Sequence, residues 1–309
     1  MLFAALSLAK LGVTGFKVAF ALLDAGVIWA LMRLLRALRL PRDRVVLYAW
    51  NPLAVIEIAG SGHVEPLGML LLVLALAAIA EGKAARAGAC LGGAIQAKLL
   101  PLLLVPRFAR RMKAHALLAT LAVVAVTSAP YAARGPWLGG GLVAYAHRWE
   151  HGAVLFAGVR RAFESVDAGP QLKAAIGWAQ ARWGSAETGM WDALYRMVWP
   201  EELARVTVAA LALGWAVAQS FRARLDAVHE ARLALGGAIL LAPTLHPWYV
   251  LWVLPIAAAQ AAGGWLLFGA LVPLQYLAGG GDVPWSIRLA ILLPPLAWMI
   301  RDALLRFRR

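Results

Sequence analysis

The chain is poor in charge and poorest in acids: only 15% of its 309 residues are charged, with 16 Asp and Glu against 30 Lys and Arg. Together with 62% hydrophobic residues and a mean hydropathy of +0.72, this excludes an ordinary soluble domain. Cysteine is nearly absent. Cys90 stands alone in an apolar segment, so no internal disulfide can form and the chain carries no redox evidence about its compartment. There is no P-loop, no GxGxxG, no His and Cys spacing of a metal-ligand cluster, and no internal repeat or low-complexity segment. The alternating pattern of a membrane barrel is missing too, as are the charged region and cleavage site that would make Met1 to Leu11 a signal peptide.

What the chain has instead is apolar runs of roughly 15 to 21 residues, recurring from Gly15 to the C-terminus, which is the length that about 30 Å of hydrocarbon demands of a helix. Backbone polar groups must be satisfied internally in lipid, so the runs read as helices. The expected fold is all-α and polytopic, with nine crossings and one re-entrant helical hairpin. A net charge of +14 would suggest nucleic acid in a soluble protein, but here it lies in clusters between apolar runs. Arg33 to Arg44, Glu81 to Arg86, Arg107 to Lys113, Arg222 to Arg232 and Arg301 to Arg309 hold 18 basic and 5 acidic residues. The positive-inside rule makes these segments cytoplasmic, and no nucleic-acid partner is needed to explain the charge. The expected chain is a multi-pass membrane protein with its first residues outside and its C-terminus in the cytoplasm.

Three regions follow: a membrane module over 1–131, a Trp-rich outer loop over 132–202 and a second membrane module over 203–309. Met1 to Leu11 is too short to span and reads as an interfacial helix. Asp24 lies inside the first span, where either a pore-facing role or a hydrogen bond to a neighbouring helix would account for it. Asn51-Pro52 predicts a kink, because proline removes a backbone donor. Glu57, six residues further on, suits either a site or a surface group. Arginines flank Ala87 to Pro106 on both sides, so a single crossing would put one basic cluster outside. A hairpin with Lys98 at its tip resolves this, the alternative being a lysine that snorkels to the interface. The loop over 132–202 balances its charges and holds six tryptophans, which suits short amphipathic helices at the headgroup level.

Candidate chemistry gathers on the outer side. Trp50 to Leu67, WNPLAVIEIAGSGHVEPL, breaks an apolar run at Gly60-Ser61-Gly62 and at once supplies His63 and Glu65. Ionisable groups near membrane depth are costly enough to count as site candidates, although Gly, Ser and His also make ordinary turns. His246-Pro247-Trp248-Tyr249 brings a second imidazole and two aromatics to the same face, where plain interface anchoring would also use them. Lys98, His246 and the loop arginines offer cations or donors for a developing negative charge. Glu65 or His63 would take or orient a hydroxyl proton.

Three of these stretches in order, WNPL with GSGHVEPL, GGAIQAKLLPLLLVP (Gly92 to Pro106) and LHPWYVLWVLP (Leu245 to Pro255), resemble the GT-C glycosyltransferases that use polyprenyl-phosphate sugars. The likeness is to the bacterial polyprenyl-phosphomannose-dependent mannosyltransferases. It extends to AYAHRWEHGAVLF (Ala144 to Phe156), where Glu150, His151 and Gly152 replace an aromatic and an asparagine usual in the family. The resemblance implies inverting transfer of a hexose, mannose above all, from a polyprenyl-phosphate-sugar donor to a lipid or glycan acceptor on the extracytoplasmic face of a bacterial inner membrane, among membrane lipids. It puts Glu65 and His63 at the chemistry, and Lys98, His246, Trp248, Tyr249, Asn51 and Arg148 at the substrates. No cofactor is identified, and the use of a divalent metal is left open. Members of the family have a first span and an outer loop with a base aspartate ahead of the interfacial helix, so the resemblance implies that this front end lies upstream of Met1. A transporter component or a catalytically inactive scaffold would also explain a polytopic chain, but transporters of that kind show two matching halves, and none is visible here.

Overall fold

A computed structural model describes residues 12–132, 149–184, 188–222 and 226–307, which form helices and connecting turns with no strand among them. The expected interfacial helix at Met1 to Leu11, Arg148 and the last two arginines of the C-terminal tail lie outside the described residues. Three helices are long and apolar enough to cross a membrane: α1 (Gly12–Ala37), α5 (Ala114–Ala132) and α9 (Pro200–Phe221). The rest are shorter or broken: α2 (Glu65–Ala80), α3 (Ala84–Ala97), α4 (Val105–Arg111), α6 (Val154–Ser165), α7 (Ala168–Trp183) and α8 (Thr188–Met197) precede α9 or flank the loop before it. Beyond α9 come α10 (Ala227–Leu241), α11 (Leu254–Ala259), α12 (Gly263–Leu271) and α13 (Trp285–Phe307). Nine crossings are thus more than helix length and composition alone support. Leu22, Leu118, Leu121, Val126, Leu211 and Leu213 nonetheless project their apolar side chains outward from the long helices, as Leu293 does from α13. A bundle so clad is membrane-associated rather than water-soluble.

Two parallel helix pairs order the first half. In the α1/α2 pair Lys17 donates to the Gly60 carbonyl just before α2 (2.5 Å), Gly26 faces Leu70, and Arg33 meets Glu81 just after it. In the α3/α5 pair Gly88 faces Ala116 and Gly92 faces Thr120, so closely that a methyl on Gly88 would lie 1.9 Å from the Ala116 carbonyl oxygen. Parallel neighbours close in sequence need a return leg between them. For α1 and α2 the leg is the segment 42–60, and for α3 and α5 it is a 3-10 turn, Leu100–Leu104, followed by α4. Lys98 itself has an extended backbone and ends α3.

Both return legs are broken where their sequences predict. In the first, Asn51 leaves the helix at φ −66° and ψ 127° and re-caps it, its Oδ1 accepting from Leu53 N at 3.1 Å, with Pro52 at the first helical position. Tyr48, on the same leg, donates its hydroxyl to Asp24 on α1, so Asp24 has a helix partner. The helix then widens to π geometry over Val55–Gly60, and His63 N reaches back to the Glu57 carbonyl at 3.0 Å. Gly62 makes that loop possible at φ +79°, which a side chain would oppose.

The two ends of the bundle differ in chemistry. At one end Arg33 pairs with both oxygens of Glu81 (2.6 Å each), Lys83 with Glu81, Arg107 with Glu230, and Arg44 with the Ala259 carbonyl. The hydrogen bond from Arg33 and then that from Lys83 hold the Glu81 carboxyl down at about 2. At the other end lie Glu65, Lys98 and the turn before Pro247. The basic clusters of the first half thus collect away from the sequence-predicted site. The segment after residue 148 supplies α6, which seats Phe156 and Ala157 in the core, and α7, which buries no side chain.

Candidate functional site

Four elements meet at the site end: the π-helical turn and loop of 55–64, the first turn of α2, the break after α3, and the turn over 242–250. Pro66 sets the start of α2, fixing Glu65 at its first position, where the helix dipole favours a carboxylate. Glu65 is 5% exposed, and its Oε1 receives Lys98 Nζ at 2.9 Å. Lys98, 32% exposed, also lies 4.0 Å from the centre of the Tyr249 ring. His63, 28% exposed, stands between two carboxylates, its Nε2 3.1 Å from Glu57 Oε2 and its Nδ1 3.9 Å from Glu65 Oε2.

The imidazole of His63 also begins a column of stacked rings. It lies 4.2 Å from Trp248 at 25°, Trp248 lies 4.3 Å from His246 at 13°, and His246 lies 4.6 Å from His151 at 27°. Backbone pairing holds the far end of the column, since Leu245 N donates to the His151 carbonyl at 2.7 Å and Thr244 Oγ1 to that of Trp149 at 2.9 Å. Burial, followed by the nearby charges of His151, Lys98 and His63, pushes His246 down to about 4 against a weaker pull from Glu57. Burial and the Arg288 guanidinium lower His151 as well, with Asp282 opposing. His246 is therefore neutral at physiological pH, and its Nε2 is buried with no hydrogen-bond partner among the described residues. It can offer or receive one hydrogen bond, but it is not the cation that the sequence reading also allowed.

Beyond His151 opens a polar cavity of about 380 Å³, lined by Glu150, Arg160, Arg161, Asp282, Trp285 and Arg288 among others. Arg160 pairs with Glu150 at 2.9 Å, Arg288 with Asp282, and Arg161 lies 4.6 Å over the Trp285 ring. Two of its three guanidinium charges thus face carboxylates.

Of the sequence-predicted residues, Glu65, His63, Lys98, His246, Trp248 and Tyr249 come together. Asn51 does not join them. Its side chain caps a helix and donates to the Leu266 carbonyl at 3.2 Å, which ties the broken leg to α12. Arg148 lies outside the described residues. Glu57, which the sequence allows as either a surface or a site group, is fully buried beside His63 with the Tyr276 hydroxyl 2.5 Å from its Oε1. Sequence reasoning missed Tyr276 and the arginine cavity. In the sequence His151 stands out only as a departure from a family pattern. Nothing local marks Tyr276, which reaches the site because Pro273 starts a 3-10 stretch, Val272–Ala278, that runs on from α12 to the same end.

Comparison with known proteins bears on one wall of this site. Residues 186–278 match the MptB C-terminal domain family. That region holds His246, Trp248, Tyr249 and Tyr276, whereas Glu57, His63, Glu65 and Lys98 precede it. A segment of 75 residues, 24% of this chain, is 33% identical to a probable alpha-(1->6)-mannopyranosyltransferase of Mycolicibacterium smegmatis and spans 13% of that protein. No solved structure matches the chain.

Proposed function

We propose that the protein is an integral membrane glycosyltransferase that moves a mannosyl group from a polyprenyl-phosphate donor to a lipid or glycan acceptor. The observation that carries the reading is the Glu65–Lys98 pair, set beside His63 and an aromatic column at one end of a membrane bundle. The likeness of the C-terminal part to the MptB domain and to a mannopyranosyltransferase supports it. In this reading the site end faces the extracytoplasmic side and the Arg33, Arg107 and Arg111 end the cytoplasm, as the charge asymmetry favours. The reading keeps nine crossings and a hairpin over Ala87 to Pro106 with Lys98 at its tip. Two membrane modules, 1–131 and 203–309, then flank an outer region over 132–202, with α6 to α8 as the Trp-rich layer over the site.

The chemistry divides among the side chains. Transfer builds negative charge on the leaving phosphate, and a phosphodiester donor already carries one charge. Lys98 is engaged by Glu65 and His246 is neutral, so Arg161, which faces the Trp285 ring rather than a carboxylate in the cavity beyond His151, is better suited to that phosphate. Trp248 and Tyr249 offer flat apolar faces for a sugar ring or an isoprenoid. Glu65 and His63 meet the acceptor hydroxyl.

The test uses membranes from cells overproducing the protein, given polyprenyl-phospho-[14C]mannose and a mixed pool of lipid and glycan acceptors. Mannosyl transfer above the level of control membranes is expected, and Glu65→Gln at equal protein level should remove the increment. Equal transfer by wild-type and Glu65→Gln membranes would sink the assignment of the site, and no increment with either would sink the activity.

A further inference from the structure

Glu57 is a carboxylate sealed from solvent on a π-helical turn, and both of its oxygens have a definite neighbour. Oε1 accepts from the Tyr276 hydroxyl at 2.5 Å. Oε2 accepts no hydrogen bond among the described residues and lies 3.1 Å from His63 Nε2. Across the same imidazole, Nδ1 lies 3.9 Å from Glu65 Oε2, which also accepts none, its companion Oε1 being held by Lys98. His63 thus sits between the two unfilled oxygens of two buried carboxylates.

A buried acceptor left without a donor costs about 1–3 kcal/mol. A proton on His63 Nε2 relieves Glu57 of that cost, whereas a proton on Nδ1 would turn the Nε2 lone pair against a carboxylate oxygen. The ring has little freedom to escape, because Trp248 covers one of its faces at 4.2 Å and the loop that carries it is bonded back to the Glu57 carbonyl. Widening to π geometry is a feature often found where a helix serves a site, and here it puts Glu57 and His63 side by side.

Resting on the transferase reading above, we infer that Glu57 is a positioning residue: backed by Tyr276, it holds the His63 proton on Nε2 and leaves the Nδ1 lone pair facing the Glu65 side, which makes His63 the base for the acceptor hydroxyl. In the step, the acceptor O–H bond breaks and its proton passes to His63 Nδ1. The acceptor oxygen bonds the anomeric carbon, and the bond from that carbon to the phosphate oxygen breaks, its electron pair leaving on the phosphate. The resulting imidazolium lies between Glu57 and Glu65, which stabilise it, and its exposed fraction lets the proton pass to water afterwards. This is the division of labour of a base with a buried carboxylate behind it.

The tautomer is read directly from the full chain labelled with 15N-histidine, at pH 8 in detergent, with His63→Gln to assign the signals. Wild-type His63 should show a protonated Nε2 and a bare Nδ1. Glu57→Leu should bring up the Nδ1–H form, and Tyr276→Phe, which leaves the carboxylate in place and guards against misfolding of the first variant, should do so in smaller measure. An Nδ1–H signal in the wild type, or the same spectrum from all three proteins, overturns the proposal. The transfer assay adds the functional half: kcat should fall about 10²- to 10⁴-fold in Glu57→Leu with donor KM unchanged. Unchanged kcat refutes the positioning role. Absent transfer by wild type despite the Nε2–H tautomer refutes instead the transferase reading, and with it His63 as a base.

Discussion

Removing Lys98 should harm the fold more than neutralising Glu65, and the structure says by roughly how much. The two charges are 2.9 Å apart, which at an effective dielectric of about 20 is a gross attraction of about 6 kcal/mol. Desolvation offsets much of it, since Glu65 is 5% exposed, so the net value has to come from a double-mutant cycle rather than from Coulomb's law. Lys98→Met leaves a carboxylate buried without its cation, for which about 2–4 kcal/mol is expected, the lower part of the range because Lys98 itself is one-third exposed. Glu65→Gln leaves a lysine that still reaches water and the Tyr249 ring, so about 1–2 kcal/mol should suffice. The pair of changes together should cost less than their sum, by about 1–3 kcal/mol.

Unfolding in mixed detergent micelles measures this, with a thiol-reactive dye on Cys90, the only cysteine, as reporter. Additivity within about 0.5 kcal/mol would mean that the pair does not couple. A larger loss from Glu65→Gln than from Lys98→Met would show that the wrong partner has been taken as the buried one. Either result removes the main electrostatic feature from the site.

Acid should destabilise the aromatic column. His246 titrates at about 4 in the folded protein against 6.5 when free, so the unfolded chain takes up the proton first, and stability present above pH 6.5 is lost as pH falls towards 4. The shift is equivalent to about 3 kcal/mol at most, less for a half-buried group; His246→Phe should keep the stack and flatten the pH dependence, with His151 giving the residual slope, and an unchanged pH profile would refute the account. Orientation is open to labelling: with Cys90 replaced, Gln171→Cys should react with an impermeant thiol reagent in intact cells and Asp302→Cys only after permeabilisation, and the reverse pattern would invert the proposed topology.

Much of this architecture was legible because membrane insertion writes itself into composition. Apolar runs, arginine clusters and the Asn51-Pro52 break are local signals, and each predicted a feature that the fold contains: outward-facing apolar helices, basic groups of the first half gathered at one end, a helix re-capped at Asn51. Lys98 drew notice as a cation inside an apolar segment flanked by arginines, and it stands where α3 ends. The partners of the site were not. Tyr276 is 219 residues from Glu57, and no periodicity in either stretch records that their legs end side by side. Asn51 misled in the opposite direction, because a polar side chain beside proline reads equally as a cap or a ligand, and the backbone took it as a cap.

The placement of the site follows from how the first half is packed. Helices α3 and α5 approach so closely at Gly88 and Gly92 that they leave no room for a third helix between them, and the same parallel arrangement holds α1 against α2. Each return leg must then climb outside its pair, on a path that a straight helix of that length does not fit, and both are broken: at Asn51 and Val55–Gly60 in one, at Lys98 and Leu100–Leu104 in the other. Breaks free backbone groups and turn side chains off the regular helical stripe, which lipid tolerates only where protein or water meets them. Here they are met at the site end, where one break delivers Glu57 and His63 and the other delivers Lys98. The ionisable groups are therefore where they are because the parallel pairs oblige the intervening chain to be irregular, and the irregular ends are the positions in this bundle that can turn a carboxylate, an imidazole and an ammonium towards one another.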